Sequence, residues 1–198
     1  MSHDQKKLRN LVKVGILSAM SFILMFIQFP IPVAPPFMKV DLADVPALIG
    51  GFSMGPLYGV LIQLIKNILN LSKTSTGGVG EISNFIVGGL FVFVSASIYK
   101  RKKTKKNATI AMICGMLIMT LTATLSNAFV IFPLYGKAMG VEMSAFVAMV
   151  HKTNTLVNSY FTMMLFAIVP FNLIKGSIEI LVTKLLYKHV SGILHDRK

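Results

Sequence analysis

The chain has 198 residues, 54% of them apolar and 14% charged, with a mean hydropathy of +0.70. Each bilayer crossing takes about 20 apolar residues, so there is room for about six crossings and none for a soluble nucleotide-binding or catalytic domain. The formal charge of +13 sits mostly in three clusters bordering apolar segments, with no aromatic or polar readers interleaved, which points to a membrane surface and away from nucleic acid.

The first cluster, Lys6, Lys7, Arg9 and Lys13, accompanies an apolar stretch from Leu8 to Phe29 that is long enough to span. It has no small-residue cleavage site and is expected to stay in the mature protein. Pro30, Pro32, Pro35 and Pro36 cannot continue a helix and favour extended backbone, so a loop follows, outside if the N-terminus is inside. Asp44 to Phe52 is apolar but short, and Gly50, Gly51, Gly55 and Pro56 break it; a half-length or tilted helix is predicted. Pro56 suits a helix start and opens a span to about Leu71, after which SKTSTGGVGE reads as a loop.

Glu81 to Tyr99 is the next span, and it ends in Lys100, Arg101, Lys102, Lys103, Lys105 and Lys106. Ala108 to about Tyr135 is longer, with Pro133 near its end, so these two flank a cytoplasmic turn. Gly136 to Ser159 is mixed in character and is placed outside or at the interface. Tyr160 to Tyr187 closes the set beside Lys184, Lys188, Arg197 and Lys198. The fold class is therefore an all-α integral membrane protein of six transmembrane helices, with both termini and the 100–106 loop cytoplasmic. One domain covers 1–198, with tails of about 1–7 and 189–198. No internal repeat is visible, which weighs against two inverted transporter halves.

Lys66 in LIQLIKNILN and Lys175 in PFNLIKGSIEI lie inside apolar segments, where an ionisable group costs several kcal/mol unless it faces a cavity or a partner. For Lys175 the alternatives are ligand contact or an ion pair with Glu179, four residues on. For Lys66 they are a ligand role or pairing with Glu81 or Asp44. Asn67, Asn70, Asn84, Asn127, Asn154, Asn158 and Asn172 also sit in or near apolar segments. An amide both donates and accepts, so Asn127, Asn172 and Lys175 converging would suit a ligand with C=O and N–H groups; interhelical bonding is the alternative for any single Asn.

The catalytic inventory is thin. GGVGE lacks the Lys and Ser/Thr of a phosphate loop, and neither HExxH nor GxSxG occurs, so no enzyme activity is expected. Asp41 and Asp44 lack further ligands at metal spacing, so no metal is expected, and Asp44 reads as the acid capping the segment before Pro46. His151 reads as a solvated loop residue. The single cysteine, Cys114, excludes a disulfide framework. Gly15 and Ala19, four apart in the first span, would let another helix approach closely, with internal packing as the alternative.

The strings FMKVDLADVPALIGGFSMGPLYGVLIQLIKNIL, STGGVGEISNFIVGG, TLSNAFVIFPLY and FNLIKG resemble the substrate-binding S components of energy-coupling factor (ECF) vitamin transporters, the riboflavin-specific members most closely. The similarity covers most of the chain from the first span onward. It implies a six-helix subunit of the bacterial plasma membrane that captures riboflavin from outside, with the proline-bearing loop as a lid. It also implies a transmembrane coupling subunit and two cytoplasmic ATPases as partners. Riboflavin is then the transported ligand rather than a cofactor; flavin mononucleotide as a second ligand, an S component for a different small vitamin and a non-transport intramembrane protein stay open. By resemblance, Asn127 and Lys175 bind the isoalloxazine head, with Asn172 beside them. Met38 and Val40 give apolar contact from the lid, while Asp41 and the Ser75 to Glu81 loop, with Asn84 nearby, lie within reach of the ribityl chain. Gly15 stands where the family usually carries the first of two alanines of its coupling motif, and Ala19 is the second.

Overall fold

The computed structural model describes residues 3–74 and 76–194. Ser75, Arg197 and Lys198, with the ends of both predicted tails, lie outside the described residues.

Helix α1 (His3–Leu24) begins before the predicted span and ends before Phe29. Its first half carries Lys6, Lys7, Arg9 and Lys13, of which Lys6 and Lys7 are exposed. Turns at Phe26 and Ile27, bonded back to Ile23 and Leu24, redirect the chain. A two-residue antiparallel bridge then pairs β1 (Phe29–Pro30) with β2 (Lys39–Val40), closing the base of the proline loop.

Helices α2 (Asp44–Met54) and α3 (Pro56–Asn70) are separated at Gly55, whose φ of +114° only glycine adopts without strain. Pro56 then starts α3, where its missing N–H costs nothing. Asp44 to Phe52 is buried throughout. At 11 residues α2 spans about 16 Å, half a bilayer crossing, and it packs against α1, α3, α4 and α9, which explains why it is apolar on all sides.

Helix α4 (Val79–Arg101) runs to the basic turn, and α5 (Lys105–Ser126) returns from it, with Thr104 accepting from Asn107 N–H as N-cap. The helix widens into a π segment at Asn127–Ile131 and continues as α6 (Phe132–Met139). The mixed segment, read from sequence only as lying outside or at the interface, holds a further helix, α7 (Met143–His151), which buries Phe146 and Val150. Helix α8 (Tyr160–Met163) passes through a second π segment, Met164–Ile168, into α9 (Val169–Leu194). Each π segment precedes a proline, Pro133 or Pro170, whose missing N–H and bulky ring disturb the regular ladder there.

Among the described residues, Val79–Arg101, Lys105–Ala138 and Tyr160–Leu186 are long and apolar enough to cross a membrane. Helices α2 and α3 are shorter, and α1 is charged over its first half. One apolar core joins α1 to α5 and α9 around Leu48, Ile62, Phe91 and Met112. A second gathers Phe132, Tyr135, Phe146 and Ile168 at the far end of the long helices.

Candidate functional site

Between the two cores lies a cavity of about 680 Å³, within the size range of small-molecule sites. The sequence-predicted residues Met38, Asp41, Glu81, Asn84, Asn127, Asn172 and Lys175 all line it. Val40 does not: it is fully buried behind the loop, against Ala34 and Phe171.

The wall is built on residues that project inward from apolar helices. Asn67, Asn127 and Asn172 each donate their amide N–H to the carbonyl four residues back, at 2.8, 2.7 and 2.8 Å. The bond fixes the side chain against its own helix and leaves the amide oxygen as an acceptor. Asn67 and Asn84 Oδ1 are buried without a hydrogen-bond partner. Asn127 and Asn172 line the cavity and suit a ligand edge carrying N–H donors, while the Lys175 ammonium suits C=O groups.

Lys175 belongs to a buried ionic cluster beneath this wall. Its Nζ is 3.4 Å from Asp44 Oδ2 and 3.7 Å from Glu179 Oε1. Asp44 also pairs with Lys66, which is completely buried, and accepts from Gln63 Nε2 at 2.9 Å. Asp44 thus stands between Lys66 and Lys175, and this pairing offsets the cost of burying charge inside the bundle. The ion-pair reading of Lys175 holds in the geometry, since it lies beside Glu179, and the same side chain lines the cavity. Lys66 is committed to Asp44 and not to Glu81.

The expectation that Asp44 caps its helix is overturned. Ala43 is the N-cap residue and no side-chain cap bond is made; Asp44 turns inward because two buried ammonium groups bind it more strongly than a backbone N–H would. Asp41 takes the local role instead, accepting from Ala43 N–H at 2.8 Å. Gly88 eases the close passage of α4 over the cluster, since a Cβ there would stand 3.1 Å from the Gln63 amide and 3.2 Å from Asp44 Oδ1.

At the other end of the cavity Glu81 accepts from Asn70 Nδ2 and Thr74 Oγ1 at 2.9 Å each, and from Thr76 Oγ1 at 3.3 Å. Phe37 carries the loop into the second core, its ring 5.2 to 6.0 Å from those of Tyr135, Phe146 and Phe132. Lys73 lies over the Phe26 ring at 3.4 Å, tying the end of α1 to the segment after α3. Sequence reasoning missed Gln63, Lys73 and Tyr135 as part of this site. A signal existed for the first: Gln63, Lys66, Asn67 and Asn70 recur at helical spacing on α3, a polar stripe in an apolar segment.

Away from the cavity, Gly15 and Ala19 are both exposed on α1, and a Cβ at Gly15 would meet nothing within 4 Å. His151 is exposed, with Nδ1 2.8 Å from the Val157 carbonyl. Among the described residues no three His, Cys, Asp or Glu gather as a metal would need.

A helical bundle that includes, among the described residues, three helices long and apolar enough to cross a membrane, built around a cavity lined by buried asparagines and a buried lysine, has the features of a membrane-embedded binding site. The profile of the family described as "ECF transporter, substrate-specific component" matches residues 9–187. The chain belongs to this family, whose role is transport and not catalysis. It is 34% identical to the riboflavin transporter RibU of Staphylococcus aureus (strain TCH60) over 94% of this chain and 92% of that one. Against the riboflavin transporter FmnP of Bacillus subtilis (strain 168) the identity is 32%, over 91% of each. The solved structure of the S component of a bacterial ECF transporter superposes with a TM-score of 0.76 at 33% identity, covering 96% of this chain and 99% of that one.

Proposed function

We propose that the cavity binds riboflavin and that the protein is the high-affinity capture subunit of an ATP-driven ECF vitamin importer. The observation that carries this reading is the convergence of Asn127, Asn172 and Lys175, from two helices, in one cavity of about 680 Å³. Relatives named as riboflavin transporters, similar over nine-tenths of the chain, support the ligand's identity. The three side chains take the isoalloxazine edge; Met38 covers the ring, with Val40 supporting it from behind. Asp41, Glu81 and Asn84 take the ribityl hydroxyls. Lys39 and Lys73 line the same cavity and carry the charge that a terminal phosphate needs, which makes flavin mononucleotide a second ligand to test.

The whole of 1–198 forms one transmembrane domain in the cell membrane. It has six membrane segments, the half-length α2 among them, with both termini cytoplasmic beside anionic lipid. Partners are a transmembrane coupling subunit, docking at Gly15 and Ala19, and two cytoplasmic ATPases. Mass spectrometry of the ligand that co-purifies in mild detergent, followed by titration of stripped protein with riboflavin, tests the reading. A flavin and saturable quenching of its fluorescence are expected; a different vitamin, or no flavin binding after stripping, would overturn it.

A further inference from the structure

The π segment that carries Asn127 leaves a backbone acceptor without its ordinary donor. Phe132 N–H bonds to Asn127 C=O, the five-residue step of a π turn. Ala128 C=O would then look to residue 133, but that residue is Pro133 and has no N–H. The missing donor comes from another helix: the Tyr160 hydroxyl at the start of α8 donates to Ala128 C=O at 2.8 Å, and lies 3.2 Å from Asn127 C=O. The Tyr160 ring packs edge-on against Phe132, with centroids 6.3 Å apart and planes at 89°.

We infer that Tyr160 is a positioning residue for ligand binding, acting through the widened turn that sets the direction of Asn127. A π turn inserts one residue into a helix, so its loss or migration would rotate a neighbouring side chain by ~100° about the axis. An unsatisfied carbonyl in the bundle favours such a shift, because the turn would move to recover a bond. Tyr160 does not line the cavity, so it serves the ligand by holding Asn127 in the cavity wall. This inference rests on the riboflavin reading of the cavity.

The test is a double-mutant cycle in full-length protein, read by riboflavin titration in detergent. Tyr160→Phe keeps the ring and removes the donor; roughly tenfold weaker binding is expected. In the Asn127→Ala background the same substitution should cause no further loss, whereas a general packing role would weaken both backgrounds alike. Faster amide exchange over 127–132 in Tyr160→Phe, with the melting temperature held within a few degrees, would report the released turn. Full affinity in Tyr160→Phe, or losses that add in the double variant, would overturn the inference while leaving the site in place. Full affinity in Asn127→Ala would instead remove the site reading and this inference with it.

Discussion

Asp44 and Lys175 face one another at 3.4 Å, joining the first residue of the half-length buried helix to the cavity-lining side of α9. Asp44 holds Lys66 at the same time, so one carboxylate serves two ammonium groups, with Glu179 on the far side of Lys175. Lys66→Met should therefore destabilise the fold by ~3–5 kcal/mol, the usual effect of stripping a buried carboxylate of a partner. Thermal unfolding in detergent measures it. Because Lys66 does not line the cavity, riboflavin affinity of the folded variant should fall far less than in Lys175→Met. An unchanged melting temperature would show that Asp44 does not depend on this pair.

The ring-edge residues give the most direct prediction for binding. Asn127 and Lys175 sit on different helices and reach the same cavity. Replacing either with Ala should weaken riboflavin binding by ~1.5–3 kcal/mol, as expected when one bond to a desolvated polar edge is lost. Calorimetric titration of each variant checks this. Unchanged affinity in both, with the fold intact, would leave these side chains as packing elements.

The proline loop is pinned at its base by the Phe29 and Val40 bridge and at its tip by Phe37 among Phe132, Tyr135 and Phe146. It also contributes Met38 and Asp41 to the cavity. Riboflavin should therefore raise hydrogen-exchange protection across Phe29 to Asp41, and Phe37→Ala should speed ligand release more than it slows capture. Equal protection with and without ligand would argue against a gating role for this loop.

Orientation follows from the basic clusters. Single cysteines placed at residues 101–106, in a background where Cys114 is replaced by Ala, should resist an impermeant thiol reagent in intact cells and react after permeabilisation. Labelling of this turn from outside would invert the proposed topology.

Much of this organisation is legible in the sequence because hydropathy, prolines and glycines act locally. The half-length Asp44 segment and the break at Gly55 and Pro56 follow from them. Helix α7 was not legible: its apolar run is too short to span, and it forms because Phe146 and Val150 find the aromatic core supplied by distant segments. The boundaries of α1 shifted for a related reason, since a charged helical turn is as good as an apolar one once it leaves the bilayer. In the site, Asn127, Asn172 and Lys175 stand out as polar residues in apolar surroundings. Asp44 is legible in part: its pairing with Lys66 is among the sequence readings, but a capping acid and an ion-paired acid look alike locally, and its second partner, Lys175, lies far along the chain. Val40 turns away from the cavity for the same kind of reason, its neighbours Ala34 and Phe171 being set by tertiary packing.

Gly15 and Ala19 lie one turn apart on an exposed stripe of α1 that also shows Leu8, Val12, Ile16 and Ile23. With no hydrophobic drive between helices in lipid, a partner helix gains its hold by close approach, and the bare backbone at Gly15 permits that. Side chains larger than Ala would hold the partner away. They would not disturb the cavity, because neither residue lines it and a Cβ at Gly15 touches nothing within 4 Å. Gly15→Leu with Ala19→Leu should thus leave riboflavin affinity in detergent within about twofold, a surface substitution costing little. The same variant should lose uptake in cells and fail to recover the coupling subunit in pull-downs. If uptake and recovery both survive, the coupling subunit docks on another face of the bundle, and this stripe of α1 faces lipid.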